Sequence, residues 1–154
     1  MNPAGDRPTE DHRPRAQVVE VSAALIFQHG KILLTQRQPG THLAGLWEFP
    51  GGKREPAETF EQCLVREIRE ELGVTIGVGR LFESVSHVYP EKSVLLKFYI
   101  CTLITGVPQP LECAQLVWAG RDELGSYQFP AADARLLEKL QKLENMFAEC
   151  TPPD

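Results

Sequence analysis

Glu67, Glu70 and Glu71 crowd the end of the segment Gly51–Val74, GGKREPAETFEQCLVREIREELGV. The segment reads as a helix with both ends marked. Thr59-Phe60-Glu61-Gln62 fits a capping box, in which the Thr hydroxyl and a side chain three residues on satisfy free N–H groups. Gly73 is placed to close the helix in a left-handed cap. On a wheel of ~100° per residue with Glu67 at zero, Phe60, Leu64, Ile68 and Leu72 fall between about 20° and about 140°, and Cys63 near about 320°. Gln62, Arg66 and Arg69 lie opposite. Glu67 and Glu71 fall inside the apolar sector and Glu70 on its edge.

A solvated helix places its acids across from the core stripe. Here Glu67 also repels Glu70 and Glu71 at i+3 and i+4, each pair costing roughly 0.2–0.5 kcal/mol when exposed. The helix dipole disfavours negative charge in the last turn, and partial burial without a partner costs several kcal/mol more. A hard divalent cation held by carboxylate oxygens accounts for the arrangement, with Mg²⁺ the first choice and Mn²⁺ the second. The competing reading is a charged helix face laced with Arg66 and Arg69.

The rest of the chain must position this helix. Its 154 residues suit one domain, and 42% hydrophobic with 24% charged residues is ordinary globular composition. Sixteen Lys and Arg against 21 Asp and Glu leave a net charge of −5, which argues against a nucleic-acid polymer as partner. Residues 1–16 hold three prolines and no aliphatic core for a signal peptide, so they read as a disordered tail. With no run of eighteen apolar residues, no membrane partner and a cytoplasmic location are expected. Cys63, Cys101, Cys113 and Cys150 lack metal-site spacing and read as ordinary thiols. Strands are expected over 17–27 and 31–37, hinged at His29-Gly30, then over 47–49, 80–89, 93–105 and 116–119. Leu136, Leu140, Leu143 and Phe147 mark an amphipathic helix over 131–147. One domain over 17–149 follows, with a tail at 150–154. Its class is α+β, a mixed β-sheet between helices.

The central segment resembles the signature of the Nudix hydrolases, a Gly, five residues, a Glu, seven residues, then Arg-Glu-aliphatic-x-Glu-Glu-x-Gly-aliphatic. Gly52, Glu58, Arg66, Glu67, Ile68, Glu70, Glu71, Gly73 and Val74 match it without departure. A chance match in a chain of this length is on the order of 10⁻⁸ at average residue usage. Leu46–Lys53, Thr35-Gln36-Arg37 and Phe129–Asp133 further resemble the MutT-type branch, which converts nucleoside triphosphates to monophosphates and pyrophosphate. The resemblance implies an α/β/α sandwich, with Glu67, Glu70 and Glu71 as metal ligands together with the Gly51 carbonyl. It makes Arg66 the holder of these carboxylates and Glu58 a support for the loop–helix turn. It also brings in Glu112, before the strand containing Trp118, as a ligand or water-activating group.

The chemistry implied is attack on a triphosphate whose repulsion must be neutralised, whose water must be deprotonated and whose leaving pyrophosphate must be stabilised. Either Glu67 or Glu112 could take the proton. Arg37 and Lys53 are phosphate contacts or plain surface charges. Phe49 and Tyr89 are stacking walls for a base or core residues. Asp133 stands where the bacterial MutT-type enzymes that cleanse 8-oxo-dGTP carry Asn; it reads the base or caps a helix. The substrate expected is a small-molecule nucleotide: 8-oxo-dGTP first, then CTP or dCTP, then a nucleotide sugar or ADP-ribose. A non-catalytic binding module is the remaining alternative, and the chain is expected to be a monomer or homodimer.

Overall fold

The computed structural model describes residues 17–143 and Phe147. The expected tails at 1–16 and 150–154, Cys150, residues 144–146 of the expected last helix and residues 148–149 of the expected domain lie outside the described residues.

Strand β1 (Gln17–Gln28) is the spine of a seven-stranded mixed sheet. It turns through His29 and Gly30, at φ 52° and 74°, into β2 (Lys31–Gln36). Two left-handed central residues give the tight turn that suits a twisted hairpin. Against β2 lie β3 (Trp47–Glu48) and β7 (Gln115–Ala119), while β4 (Gly51–Lys53) pairs with β1. The long hairpin β5 (Thr75–Val88) and β6 (Lys92–Thr105) joins through β6, which runs parallel to β1. The main order is β3-β2-β1-β6-β5.

Helix α1 (Phe60–Leu72) buries Leu64, Ile68 and Leu72 with Ala24, Ile26 and Leu33 on one face of this sheet. On the other face α2 (Ala134–Gln141) buries Leu136 and Leu140 with Leu25, Leu34 and Phe98. This is the expected mixed sheet between helices. Among the described residues no helix is long and apolar enough to cross a membrane.

Three boundaries differ from the sequence reading. Gly51-Gly52 does not stop a strand but forms one, because these glycines permit close approach and not a turn: a Cβ on Gly51 would overlap the Ser22 carbonyl of β1. β5 starts at Thr75, not near residue 80, since Gly77 and Gly79 mask a strand that continues through register shifts between Val78 and Glu83. The last helix is preceded by a 3₁₀ turn at Ala131–Asp133, and α2 closes at Gln141. A further 3₁₀ segment, Arg121–Ser126, was not legible in the apolar pattern; Glu123 accepts from the Gly120 N–H at 3.1 Å to start it.

Candidate active site

The capping box is formed: Gln62 N donates to Thr59 Oγ1 at 3.0 Å and Thr59 N to Gln62 Oε1 at 2.9 Å. At the other end Gly73 adopts φ 71° and its N–H donates to the Arg69 carbonyl at 2.9 Å. The last carbonyls of a helix need partners from outside it. Here Leu111 N and Glu112 N donate to Glu71 O at 3.1 and 3.3 Å, and Gln109 N donates to Leu72 O at 3.0 Å. The loop before β7 is thereby fastened to the acidic end of α1, which delivers Glu112 to the carboxylates.

Arg66 is the hub of the loop–helix turn. Its Nε and Nη2 bind both oxygens of Glu58 at 3.0 and 2.6 Å, and Nη1 reaches Glu67 at 2.9 Å and Glu70 at 3.4 Å. Nη2 also donates to the Lys53 carbonyl at 3.1 Å. A bidentate guanidinium–carboxylate pair fixes direction as well as distance. The Arg66 bonds, helped by the Glu55 N–H, pull the Glu58 carboxyl down to about 2. Glu67 moves the other way: burial raises it, and Arg66 only partly offsets this.

Glu71 has the most adverse setting. It is buried at 7% exposure, and burial first, then the charge of Glu48, push its carboxyl up to about 8. Glu67 and Glu112 add to the rise, while the Gly51 N–H at 3.3 Å opposes it. The apolar-sector placement read from the wheel is thus observed: α1 buries Cys63, Leu64, Ile68, Glu71 and Leu72 together. Gly52 lies directly beneath the acids, for a Cβ there would overlap the Glu67 carboxylate.

This donor set fits a hard dication. It consists of carboxylate oxygens that raise one another's affinity for positive charge, around one buried acid that no basic side chain neutralises. The side chains do not stand as a finished cage. Among the described residues no three His, Cys, Asp or Glu groups converge on one point, and Arg66 Nη1 holds Glu67 and Glu70. Glu112 is exposed, and Glu70 is half-exposed.

Beside the acids, on the α2 face of the sheet, opens a cavity of about 260 Å³. Arg37, Phe49, Lys53, Tyr89 and Asp133, the five candidate substrate contacts, all line it with Gly51 and Gly52. Their conditions differ. Arg37 is engaged, with Nη1 3.1 Å from Glu48 and Nε 2.5 Å from the His42 carbonyl. Phe49 is core as well as lining: it is buried, stacked 5.4 Å from Phe129 and edge-on to Phe98. Tyr89 is half-buried at the open end and rests edge-on against His87 at 4.4 Å. Lys53 is exposed. Asp133 occupies the N-cap position of α2, yet its side chain makes no cap hydrogen bond, so the capping reading is corrected. It is buried at 6% exposure, and burial, with a contribution from Glu48, pushes it up to about 7.

Glu48 is the residue that spacing alone overlooked. It lines the cavity, pairs with Arg37, and its charge acts on both Glu71 and Asp133. Its cross-strand neighbour Thr35 is fully buried with an unpartnered hydroxyl. The available signal was a glutamate between Trp47 and Phe49, where an aromatic strand should bury it.

The architecture is a mixed sheet between two helices, with a Gly-Gly strand under an Arg-organised acidic helix end. The model of the NUDIX domain matches residues 22–139, so the chain belongs to that family. It is 41% identical to the CTP pyrophosphohydrolase of Escherichia coli K12 over 127 residues, covering 82% of this chain and 94% of that one. With the 8-oxo-dGTP diphosphatase of Haemophilus influenzae the identity is 37% over 125 residues, covering 80% and 92%. The solution structure of the E. coli ORF135 protein superposes with a TM-score of 0.72 at 38% identity, covering 90% of this chain and 96% of that one.

Proposed function

We propose that this chain is a MutT-like, divalent-metal-dependent hydrolase that converts nucleoside triphosphates to monophosphates and pyrophosphate, acting on 8-oxo-dGTP. The observation that carries the reading is the buried Glu71, set among the charges of Glu48, Glu67 and Glu112 and hydrogen-bonded to Gly51, a residue that lines the neighbouring cavity. Glu67, Glu70, Glu71 and the Gly51 carbonyl are the ligands, with Glu112 completing the set. Mg²⁺ bound there, or Mn²⁺, supplies charge neutralisation of the phosphate oxygens and an acidified water. Arg66 keeps Glu67 and Glu70 aimed, and Glu58 keeps Arg66 aimed. Glu67 or Glu112 takes the proton of the attacking water. Lys53 meets the phosphates from β4. Arg37 steadies Glu48 and its own loop, contacting phosphate only on leaving that pair. The enzyme works as one domain over 17–149 on a small-molecule substrate in the cytoplasm, without membrane or nucleic-acid partners, as a monomer or homodimer.

Asp133 supports the choice of base. A neutral carboxyl donates through its O–H and accepts through its carbonyl, as an amide does. With its carboxyl raised to about 7, a large fraction of Asp133 is neutral at neutral pH, and that form replaces the Asn of MutT-type enzymes, matching the adjacent N7–H and O6 of an 8-oxoguanine. The ionised form accepts only, which suits the N4 amine of cytosine. A second reading, CTP or dCTP hydrolysis, is favoured by that form and by the likeness to the E. coli CTP pyrophosphohydrolase. The test is chromatographic separation of products from 8-oxo-dGTP, dGTP, CTP, dCTP and ADP-ribose with Mg²⁺, the triphosphates giving monophosphate and pyrophosphate and ADP-ribose giving AMP and ribose 5-phosphate. The expected result is the highest kcat/KM for 8-oxo-dGTP, with pyrophosphate as co-product. Preference for CTP establishes the second reading, and hydrolysis of ADP-ribose alone refutes both.

A further inference from the structure

The family signature leaves Arg54 unassigned, yet among the described residues no other side chain ties the loop before α1 to the sheet so extensively. Its Nε pairs with Glu20 Oε2 of β1 at 2.5 Å, and its own backbone N–H donates to the Glu20 carbonyl at 2.8 Å. Nη1 donates to the Glu58 carbonyl at 2.8 Å and to that of Glu55 at 3.3 Å. The guanidinium also lies 5.4 Å from the ring centroid of Phe60, the first residue of α1, and Lys97 Nζ of β6 lies 4.0 Å from the same ring. Ser22 Oγ of β1 donates to the Phe60 carbonyl at 2.8 Å. One end of Arg54 thus grips the central strand, and the other grips the turn that carries Glu58.

We infer that Arg54, anchored by Glu20, is a positioning residue for the metal site, acting through Glu58 and Arg66 on Glu67 and Glu70. This rests on the proposed function, since it supposes that those carboxylates bind a cation. The sequence of contacts is unbroken. Arg54 holds the Glu58 carbonyl, both oxygens of the Glu58 carboxylate hold the Nε–Nη2 edge of Arg66, and Arg66 Nη1 sets Glu67 and Glu70. Neither Arg54 nor Glu20 touches the acids themselves, so their contribution is orientation. A lysine cannot replace the fork, because a single ammonium cannot reach the carboxylate and two carbonyls at once.

The test is titration of the full-length protein with Mn²⁺ alone, followed by electron paramagnetic resonance of the free ion, beside thermal melting of the same samples. Arg54→Met is expected to weaken Mn²⁺ binding roughly 10-fold or more, as removal of outer partners of metal ligands does elsewhere. Arg54→Lys is expected to restore little of that loss, and Glu20→Gln to lose a smaller part of it. A purely structural clasp would lower the melting temperature and leave Mn²⁺ affinity unchanged, which overturns the inference. If Arg54→Met does not fold, Glu20→Gln decides, and wild-type affinity in that variant overturns it. Wild-type protein that binds no Mn²⁺ overturns the proposed function and this inference together, whereas binding by wild type and Arg54→Met alike overturns only the inference.

Discussion

Asp133→Asn perturbs the cavity at its most informative point. Burial, aided by Glu48, carries this carboxyl from 3.8 to about 7. At about 1.4 kcal/mol per pH unit, the folded chain disfavours the ionised form by about 4 kcal/mol, or about 2–4 kcal/mol once local relaxation is allowed. The direction follows from linkage. The folded state holds the proton more tightly, so stability is full below pH 4, declines as pH rises toward 7, and is level above it. An amide of the same shape carries no charge to bury. Asp133→Asn should therefore match wild type near pH 4 and exceed it by about 2–4 kcal/mol at pH 8, or several degrees in melting temperature for a chain of this length. Urea denaturation of metal-free protein at half-unit pH steps reads the difference directly. A parallel readout is relative kcat/KM for 8-oxo-dGTP and CTP, whose ratio should fall in wild type between pH 6 and 8 and stay flat in the variant. A stability difference independent of pH would refute the buried-carboxyl argument, and an equal change for every base would remove Asp133 from base recognition.

The remaining expectations concern the acidic helix end. Glu70→Gln should cut turnover by at least about 100-fold with an unchanged circular dichroism spectrum, because a half-exposed carboxylate contributes to ligation and little to folding. Gly52→Ala should impair activity far more than stability, since the added methyl displaces the Glu67 carboxylate; activity within twofold of wild type would refute that contact. Glu58 is held down to about 2, so the stability from its pairing with Arg66 is present above the ordinary carboxylate value and lost as pH falls from about 4.5 through 2. Acid denaturation of Glu58→Gln should accordingly lack part of the wild-type transition in that window.

The helix and its ends were legible because capping chemistry is local: Thr59, Gln62 and Gly73 do what their spacing requires. The burial of Glu71 was legible for the same reason, as a fixed angular period sets it. Strand β4 was not, since a Gly-Gly pair signals a turn unless one knows that β1 and α1 press on it from both sides. The engagement of Arg37 by Glu48 and the His42 carbonyl was hidden likewise, for it depends on a loop folding back onto β2. Glu48, Arg54 and Glu20 escaped notice because their importance lies in pairings 11 and 34 residues apart in sequence, which no motif spacing encodes. The five cavity residues could be named but not ranked. Both Asp133 and Phe49 are buried, and what separates them is that Asp133 brings a carboxyl whose charge is costly there, whereas Phe49 belongs equally to the core.

The most direct measurement is anomalous diffraction from a crystal soaked in MnCl₂. A peak about 2–2.5 Å from carboxylate oxygens of Glu67, Glu70 or Glu71 and from the Gly51 carbonyl is the expected result. Manganese bound elsewhere, or no peak beside these acids at saturating concentration, would contradict the proposal that the buried glutamates are there to hold a catalytic cation.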